Sequence, residues 1–186
     1  MNRRSRSLVV GASALGALLA GACSLQTTTP TTELVEISHD APLNPARLGF
    51  TQCTPQESAS GSARIGPNGG VVRAGRHMLR IPAGALRRST IITMDAPSDS
   101  LNSVVFGPEG LTFEPASLPT LVMSYRNCPI KERAELELTI VYTDDAMTTV
   151  LDTTELVAAD TLNHTVGARL KHFSRYVLRS RYAVAF

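Results

Sequence analysis

The segment Glu135-Leu136-Glu137-Leu138-Thr139-Ile140-Val141-Tyr142 decides the fold. Leu136, Leu138, Ile140 and Tyr142 alternate with Glu135, Glu137, Thr139 and Val141. A period of two puts the first set on one face of a strand and the second set on the other. Thr143-Asp144-Asp145-Ala146 follows, with residue types that end a strand in a turn. The same pattern recurs on both sides. Toward the N-terminus, Leu121-Val122-Met123-Ser124-Tyr125 is a near-continuous apolar run, expected of a strand buried on both faces. Residues 103–106 make a short strand ended by Gly107-Pro108-Glu109-Gly110, and residues 90–94 are rich in β-branched side chains. His77, Leu79 and Ile81 alternate with Met78 and Arg80, and Gly69-Gly70 precedes Val71-Val72. Pro82-Ala83-Gly84-Ala85-Leu86 reads as a turn, with room for a single helical turn over residues 83–88. Toward the C-terminus, Val166, Ala168 and Leu170 alternate with Gly167, Arg169 and Lys171, and residues 173–185 read as one or two final strands. Many short strands separated by Gly, Pro and Asp turns predict an all-β domain, an antiparallel sandwich or open barrel, over residues 63–186.

The N-terminus has a different character. Arg3, Arg4 and Arg6 form a basic region, residues 8–22 are apolar and uncharged, and the run ends in Leu19-Ala20-Gly21-Ala22-Cys23. A basic start, a short apolar run and a small-residue exit describe a secretory signal peptide over residues 1–22. The run is shorter than the roughly 20 residues a membrane-spanning helix needs. Gly11, Gly16 and Gly21 would weaken a buried helix there. Ala20-Gly21-Ala22 fits an ordinary cleavage site. Leu19-Ala20-Gly21-Ala22-Cys23 also resembles the lipobox of bacterial lipoproteins, with Ala20 where Leu is usual. That resemblance implies an acylated Cys23 and a membrane anchor, and it is the reading preferred here. Residues 23–62 then form a lipid-anchored tether and lead-in. The run Thr27-Thr28-Thr29-Pro30-Thr31-Thr32 is expected to be disordered, extended and solvated. Ser24 lacks the acidic character that retains many such proteins at an inner membrane, so an outer membrane or cell surface is expected in a two-membrane cell.

Charge and cysteine use fit export. The chain has 18 basic and 16 acidic residues. Without Arg3, Arg4 and Arg6 the basic count falls to 15 and the net charge to −1. No basic patch of the kind nucleic acid requires is visible. With Cys23 acylated, Cys53 and Cys128 remain, an even pair in an oxidising compartment. A Cys53–Cys128 bridge would close a long loop, worth on the order of 4 kcal/mol in the chain-entropy account. Two separate buried thiols are the other reading. There is no C-x-x-C or H-x-x-x-H spacing, so no metal and no cofactor is expected.

Gly69-Gly70-Val71-Val72, the run from His77 through Ile81-Pro82-Ala83-Gly84-Ala85-Leu86, and Thr90-Ile91-Ile92-Thr93 resemble the opening of a ZU-5 domain. Such domains occur in zonula occludens proteins, netrin receptors and ankyrins. The resemblance continues through Phe106-Gly107-Pro108-Glu109-Gly110-Leu111-Thr112-Phe113-Glu114-Pro115-Ala116 and closes at His172-Phe173-Ser174-Arg175-Tyr176. It covers roughly residues 65–180. It implies a solitary bacterial ZU-5 sandwich used for binding another protein, here an unidentified envelope component. Physically, Gly84 suits a positive-φ position after Pro82, and Phe113 is a core aromatic.

The resemblance also gives His172-Phe173-Ser174 a chemical reading. In some ZU-5-related proteins this tripeptide cleaves itself, the Ser hydroxyl attacking the preceding Phe carbonyl and water splitting the ester. That requires strain at the bond and a nearby base, and His172 supplies an imidazole beside it. Alternation would place His172, Ser174, Tyr176 and Leu178 on one face. The structural alternative makes Phe173 a core aromatic, with Ser174 bonded to backbone. A cell-surface carbohydrate-binding sandwich is the third functional reading. It would show exposed aromatic platforms, and the chain has 0 Trp and 4 Tyr. Asp144-Asp145 reads as a polar turn rather than a calcium loop. Asn163-His164-Thr165 is a sequon that reads as a turn, and Arg87-Arg88 reads as a solvated turn. His39 and His77 have no partner in sequence. No Ser-His-Asp set, paired carboxylates or phosphate loop is visible, so the domain is expected to be non-catalytic apart from any single self-cleavage.

Overall fold

A computed structural model of the chain describes residues 48–131, 135 and 137–180. Cys23, the segment before Leu48, Leu136 and the residues after Ser180 lie outside that set. The fold is all-β: two antiparallel sheets packed face to face as a sandwich, not closed into a barrel. The strands are β1 (Ala59–Ile65), β2 (Gly70–Ala74), β3 (His77–Ile81), β4 (Thr90–Ala96), β5 (Ser103–Gly107), β6 (Thr120–Ser124), β7 (Leu138–Thr143), β8 (Val150–Thr153), β9 (Glu155–Asp160), β10 (Thr165–Arg169) and β11 (Arg175–Ser180). One sheet has six strands in the order β1-β4-β5-β11-β7-β8; the other has five in the order β2-β3-β6-β10-β9.

Alternation builds the shared core. Leu79 and Ile81 of β3, Ile92 and Met94 of β4, and Val104 and Phe106 of β5 are buried in it, with Ile140, Val166 and Ala168. At its centre Phe173 stacks on Phe106, with ring centroids 4.9 Å apart, and meets the edge of Phe113, also at 4.9 Å. The turns use their glycines as anticipated at Gly84, where φ is +81°. Gly69 closes the turn from β1 to β2, which lie in different sheets, at φ +73°, and a Cβ there would lie 2.3 Å from the Ile81 carbonyl oxygen. No side chain fits at that position. Residues 83–88 are turn and bend, with no helical turn.

Several local features differ from a simple reading of the pattern. β7 begins at Leu138 rather than Glu135, and Val141, on the face opposite Leu138 and Ile140, is fully buried as they are. The cause is remote in sequence: Phe50 packs on that outer face with Leu101, Val141 and Val177. The segment carrying Phe50 is pinned by backbone bonds, Thr51 N–H to Leu178 O at 2.9 Å and Ser180 N–H to Gly49 O at 2.8 Å. Packing therefore reaches back to about Leu48, well before Ala63. Glu135, read as outward-facing, is buried; the Tyr125 hydroxyl donates to its Oε2 at 3.2 Å. Burial and that carboxylate push the Tyr125 hydroxyl up to about 12. In β6, Val122 is only half-buried, so the run at 121–125 has one core face rather than two.

Candidate interaction edge

The sequence pattern assigns no strand to residues 150–160, and they form two strands with exposed apolar side chains. β8 pairs with β7 in the six-stranded sheet, and β9 pairs with β10 in the five-stranded sheet. One residue, Thr154, separates them. Its hydroxyl donates to the Ile140 carbonyl at 2.6 Å and its N–H reaches the same oxygen at 3.2 Å. That corner lets one extended segment pass from sheet to sheet, so β8 and β9 are both outermost strands on the same flank. The flank is apolar and open. Leu151 is 50% exposed, Leu156 45%, Val157 47%, and Leu162 in the next turn 90%. Val157 lies within a bulge, where the β9–β10 register shifts at Gly167/Ala168.

The ends of β9 are acidic and locally fixed. Glu155 lies 3.6 Å from Arg169, and Asp152 of β8 lies 3.7 Å from Lys171. Asp160 accepts from the Asn163 N–H at 3.0 Å and its side-chain amide at 2.7 Å, which holds its carboxyl below the usual range. The Asn163-His164-Thr165 sequence lies in that turn and at the start of β10, with His164 at φ 51°. On the other side of β8, Asp144 accepts from the Thr148 and Thr149 N–H groups at 2.8 and 2.9 Å and from the Thr148 hydroxyl at 2.6 Å. Asp144 thus caps its own turn. Among the described residues, no group of three or more His, Cys, Asp or Glu is placed to hold a metal.

An open, apolar edge presents unpaired N–H and C=O groups beside hydrophobic side chains, which is a template for an added strand. The only antiparallel register that pairs all six residues of β9 with a second copy sets Glu155 opposite Asp160. In-register parallel pairing sets Glu155 opposite Glu155. Like charges directly opposed are destabilising. The edge therefore suits an extended segment with an apolar middle and basic ends better than it suits itself.

The residues singled out from sequence fall elsewhere. Cys53 and Cys128 are joined by a disulfide, S–S 2.03 Å. Arg87 pairs with Glu114 at 2.6 Å on the surface. In His172-Phe173-Ser174, the Phe173 ring is fully buried in the aromatic core and Ser174 is buried beside it. The backbone here is held on several sides. Phe173 N–H donates to Leu111 O at 2.8 Å, Gly110 N–H donates to Phe173 O at 3.0 Å, and Phe106 N–H donates to Ser174 O at 3.1 Å. The Tyr176 hydroxyl donates to His172 O at 2.6 Å. The His172 ring packs edge-on against Tyr142 at 4.6 Å. Among the described residues, the non-glycine positions with positive φ are Met147 and His164, neither of them here.

Comparison with known proteins finds no matching family model and no matching curated protein.

Proposed function

We propose that this chain is an exported protein held at a bacterial-type membrane by a lipid on Cys23, and that its sandwich binds another envelope protein through the β9 edge. The observation that carries the binding role is the apolar, strand-accepting flank at Leu156 and Val157. Anchoring rests on the sequence from Arg3 to Cys23 and its lipobox resemblance; the ZU-5 resemblance of the domain behind it bears only on the binding role. The partner contributes an extended segment with basic flanks, and no cofactor takes part. The experiment is intact-mass analysis of the membrane fraction beside that of Cys23→Ser. The expected mass is that of residues 23–186 plus acyl groups, and the variant leaves the membrane. Ordinary cleavage without added lipid mass contradicts the anchor.

Self-cleavage at Phe173–Ser174 is a second reading, favoured by one contact: the Gly110 N–H already sits on the Phe173 carbonyl, where it would stabilise an oxyanion. Positive-φ backbone, one mark of the strain this chemistry draws on, is absent at these residues. The same mass spectrum tests it. A fragment starting at Ser174, lost in Ser174→Ala, supports cleavage, and an intact chain after long incubation rules it out.

A further inference from the structure

Charge is unevenly spread over the sandwich. Between Glu57 and Asp95 the chain has six arginines, Arg64, Arg73, Arg76, Arg80, Arg87 and Arg88, and no acidic residue. From Asp95 to Asp160 it has 12 acidic residues and 3 basic ones. The first block holds β1 to β3 and most of β4; the second runs from the end of β4 through β9.

Strand pairing gathers part of the positive charge on one surface, the outer face of the five-stranded sheet. Val72, Leu79, Leu121 and Val166 point into the core, so their neighbours along each strand point out. Arg80 lies opposite Val71 on β2 and Thr120 on β6, and Thr120 lies opposite Arg169 on β10. Arg80 and Arg169 are thus two strands apart, roughly 10 Å. Arg73 lies opposite Met78, diagonal to Arg80. All three arginines are exposed, Val71 is 43% exposed, and Met78 and Val122 are half-buried between them. Gly167, opposite Val122, adds no side chain, which keeps the face flat.

Little within the protein answers this charge. Arg73 and Arg80 have no ion-pair partner among the described residues, and Arg169 has only the exposed Glu155 at 3.6 Å. β2, β3 and β6 carry no acidic residue. The acids of this sheet, Glu155 and Asp160, stand on β9 at its far edge. Arg76, in the turn beyond the face, shares its cleft with Glu57 and Asp99 and is not part of the set. Arginines held side by side without a carboxylate repel one another, and an anionic surface relieves that repulsion.

We infer that this face docks on a bilayer surface carrying anionic lipid headgroups, with Arg73, Arg80 and Arg169 against the headgroups and Val71, Met78 and Val122 toward the interface. The inference rests on the anchor proposed at Cys23 for its setting. A domain already tethered to a membrane needs only weak further contacts, because the second contact is intramolecular. The described chain begins beside Phe50, on the outer face of the other sheet. Residues 24–47 reach at most about 80 Å, enough to pass round two sheets packed about 10 Å apart. A flat sheet face matches a planar surface, and the acidic block from Asp95 to Asp160 is repelled by it, so one orientation is favoured. In that orientation the open edge of β9 points along the membrane, where a partner can reach it.

The test is co-sedimentation with vesicles of phosphatidylcholine alone or of phosphatidylcholine mixed equally with phosphatidylglycerol. Soluble poly-L-glutamate is the third probe, titrated separately. The protein is the mature chain, residues 23–186, with Cys23→Ser, so no acyl group contributes; a failure here is distinct from a missing lipid mass at Cys23. Salt is held at about 0.1 M, where the screening length of about 10 Å confines the effect to groups near the surface. The anionic vesicles should bind at least about tenfold more tightly than the neutral ones, and binding should vanish at about 1 M salt. Each arginine contributes about fivefold. Arg73→Gln with Arg80→Gln should therefore weaken binding by roughly 25-fold. Lys131→Gln, in the loop after Cys128, should change it by less than about twofold. An unchanged denaturation midpoint shows that the arginine variant is folded. The inference is overturned if neither vesicle binds, if neutral vesicles bind as well as anionic ones, or if the double arginine variant behaves as Lys131→Gln does. It is overturned equally if poly-L-glutamate binds as tightly as the anionic vesicles, which would assign the face to an acidic polypeptide.

Discussion

The sandwich has two flanks, and they are built on opposite principles. On one, β1 and β2 end their sheets side by side. Small residues of β1, Ala59, Gly61 and Ala63, take the half-buried positions, and Ser60, Ser62 and Arg64 take the exposed ones. A Cβ on Gly61 would lie 1.9 Å from the Arg73 carbonyl oxygen. Backbone lies on backbone, and what remains outside on β1 is polar, while Val71 of β2 is 43% exposed and Ile91 of β4 54%. On the other flank the chain turns from β8 to β9 at Thr154 and leaves Leu151, Leu156 and Val157 half in water. A fold that can close one edge so tightly leaves the other open at a cost in exposed apolar surface. The difference between the flanks is the tight β1–β2 backbone contact on one and the unpaired apolar pair Leu156-Val157 on the other, and we place the partner on the second.

The largest effect should lie at the clamp near the closed end. Cys53 fixes the segment that carries Phe50 to the loop after β6, across a separation of 75 residues. Replacing both cysteines by Ser should cost about 4 kcal/mol, measured as the free energy of unfolding from denaturation curves each fitted with its own slope. Next comes the closed flank itself. Gly61→Val must push β1 off β2 and should cost about 3 kcal/mol or more. A tolerated Gly61→Val would show that the two strands are not sealed.

The flanks should also part in acid. His77, at the start of β3, carries a proton less readily folded than unfolded. Its contribution is complete above its ordinary value of 6.5 and is lost as pH falls toward about 4. The loss is at most about 3 kcal/mol. Asp99 acts in the opposite sense, since burial raises its carboxyl, and its window lies just above 3.8. On the open flank, Asp144 and Asp160 are held below 3.8, so their stabilisation disappears only at lower pH. Melting temperature followed from pH 7 to 3, with and without His77→Gln, separates the two. A flat profile from 6.5 to 4 in the parent chain would contradict the burial of His77. The smallest effect belongs to the open edge: Val157→Lys should change stability by under about 0.5 kcal/mol, as at other exposed sites.

Much of the scaffold was legible in sequence because one buried face imposes a period of two. β3, β7 and β10 carry that signal, and the parity of Cys53 and Cys128 anticipated their bridge. The missed edge lacked it for a physical reason. Both faces of Leu156-Val157-Ala158-Ala159 are exposed, so nothing forces polar residues into alternate positions, and Asp152-Thr153-Thr154-Glu155 interrupts the apolar pairs as a loop would. The pair Val150-Leu151 followed by Leu156-Val157 was the available clue. The burial of Val141 was not legible because its cover, Phe50, comes from far along the chain. In His172-Phe173-Ser174 the sequence could not tell a strained bond from a pinned one, and the surrounding backbone hydrogen bonds supply that information.

The central claim is that the β9 edge receives a partner and the β1 edge does not. The direct measurement is photo-crosslinking in intact cells from a probe placed at Val157, compared with the same probe at Ser60. The account predicts a discrete adduct from Val157, of a mass other than twice the chain, whose partner peptide is extended and flanked by basic residues, and no adduct from Ser60. Adducts of equal yield from both positions, a dimer alone, or none from Val157 would contradict it.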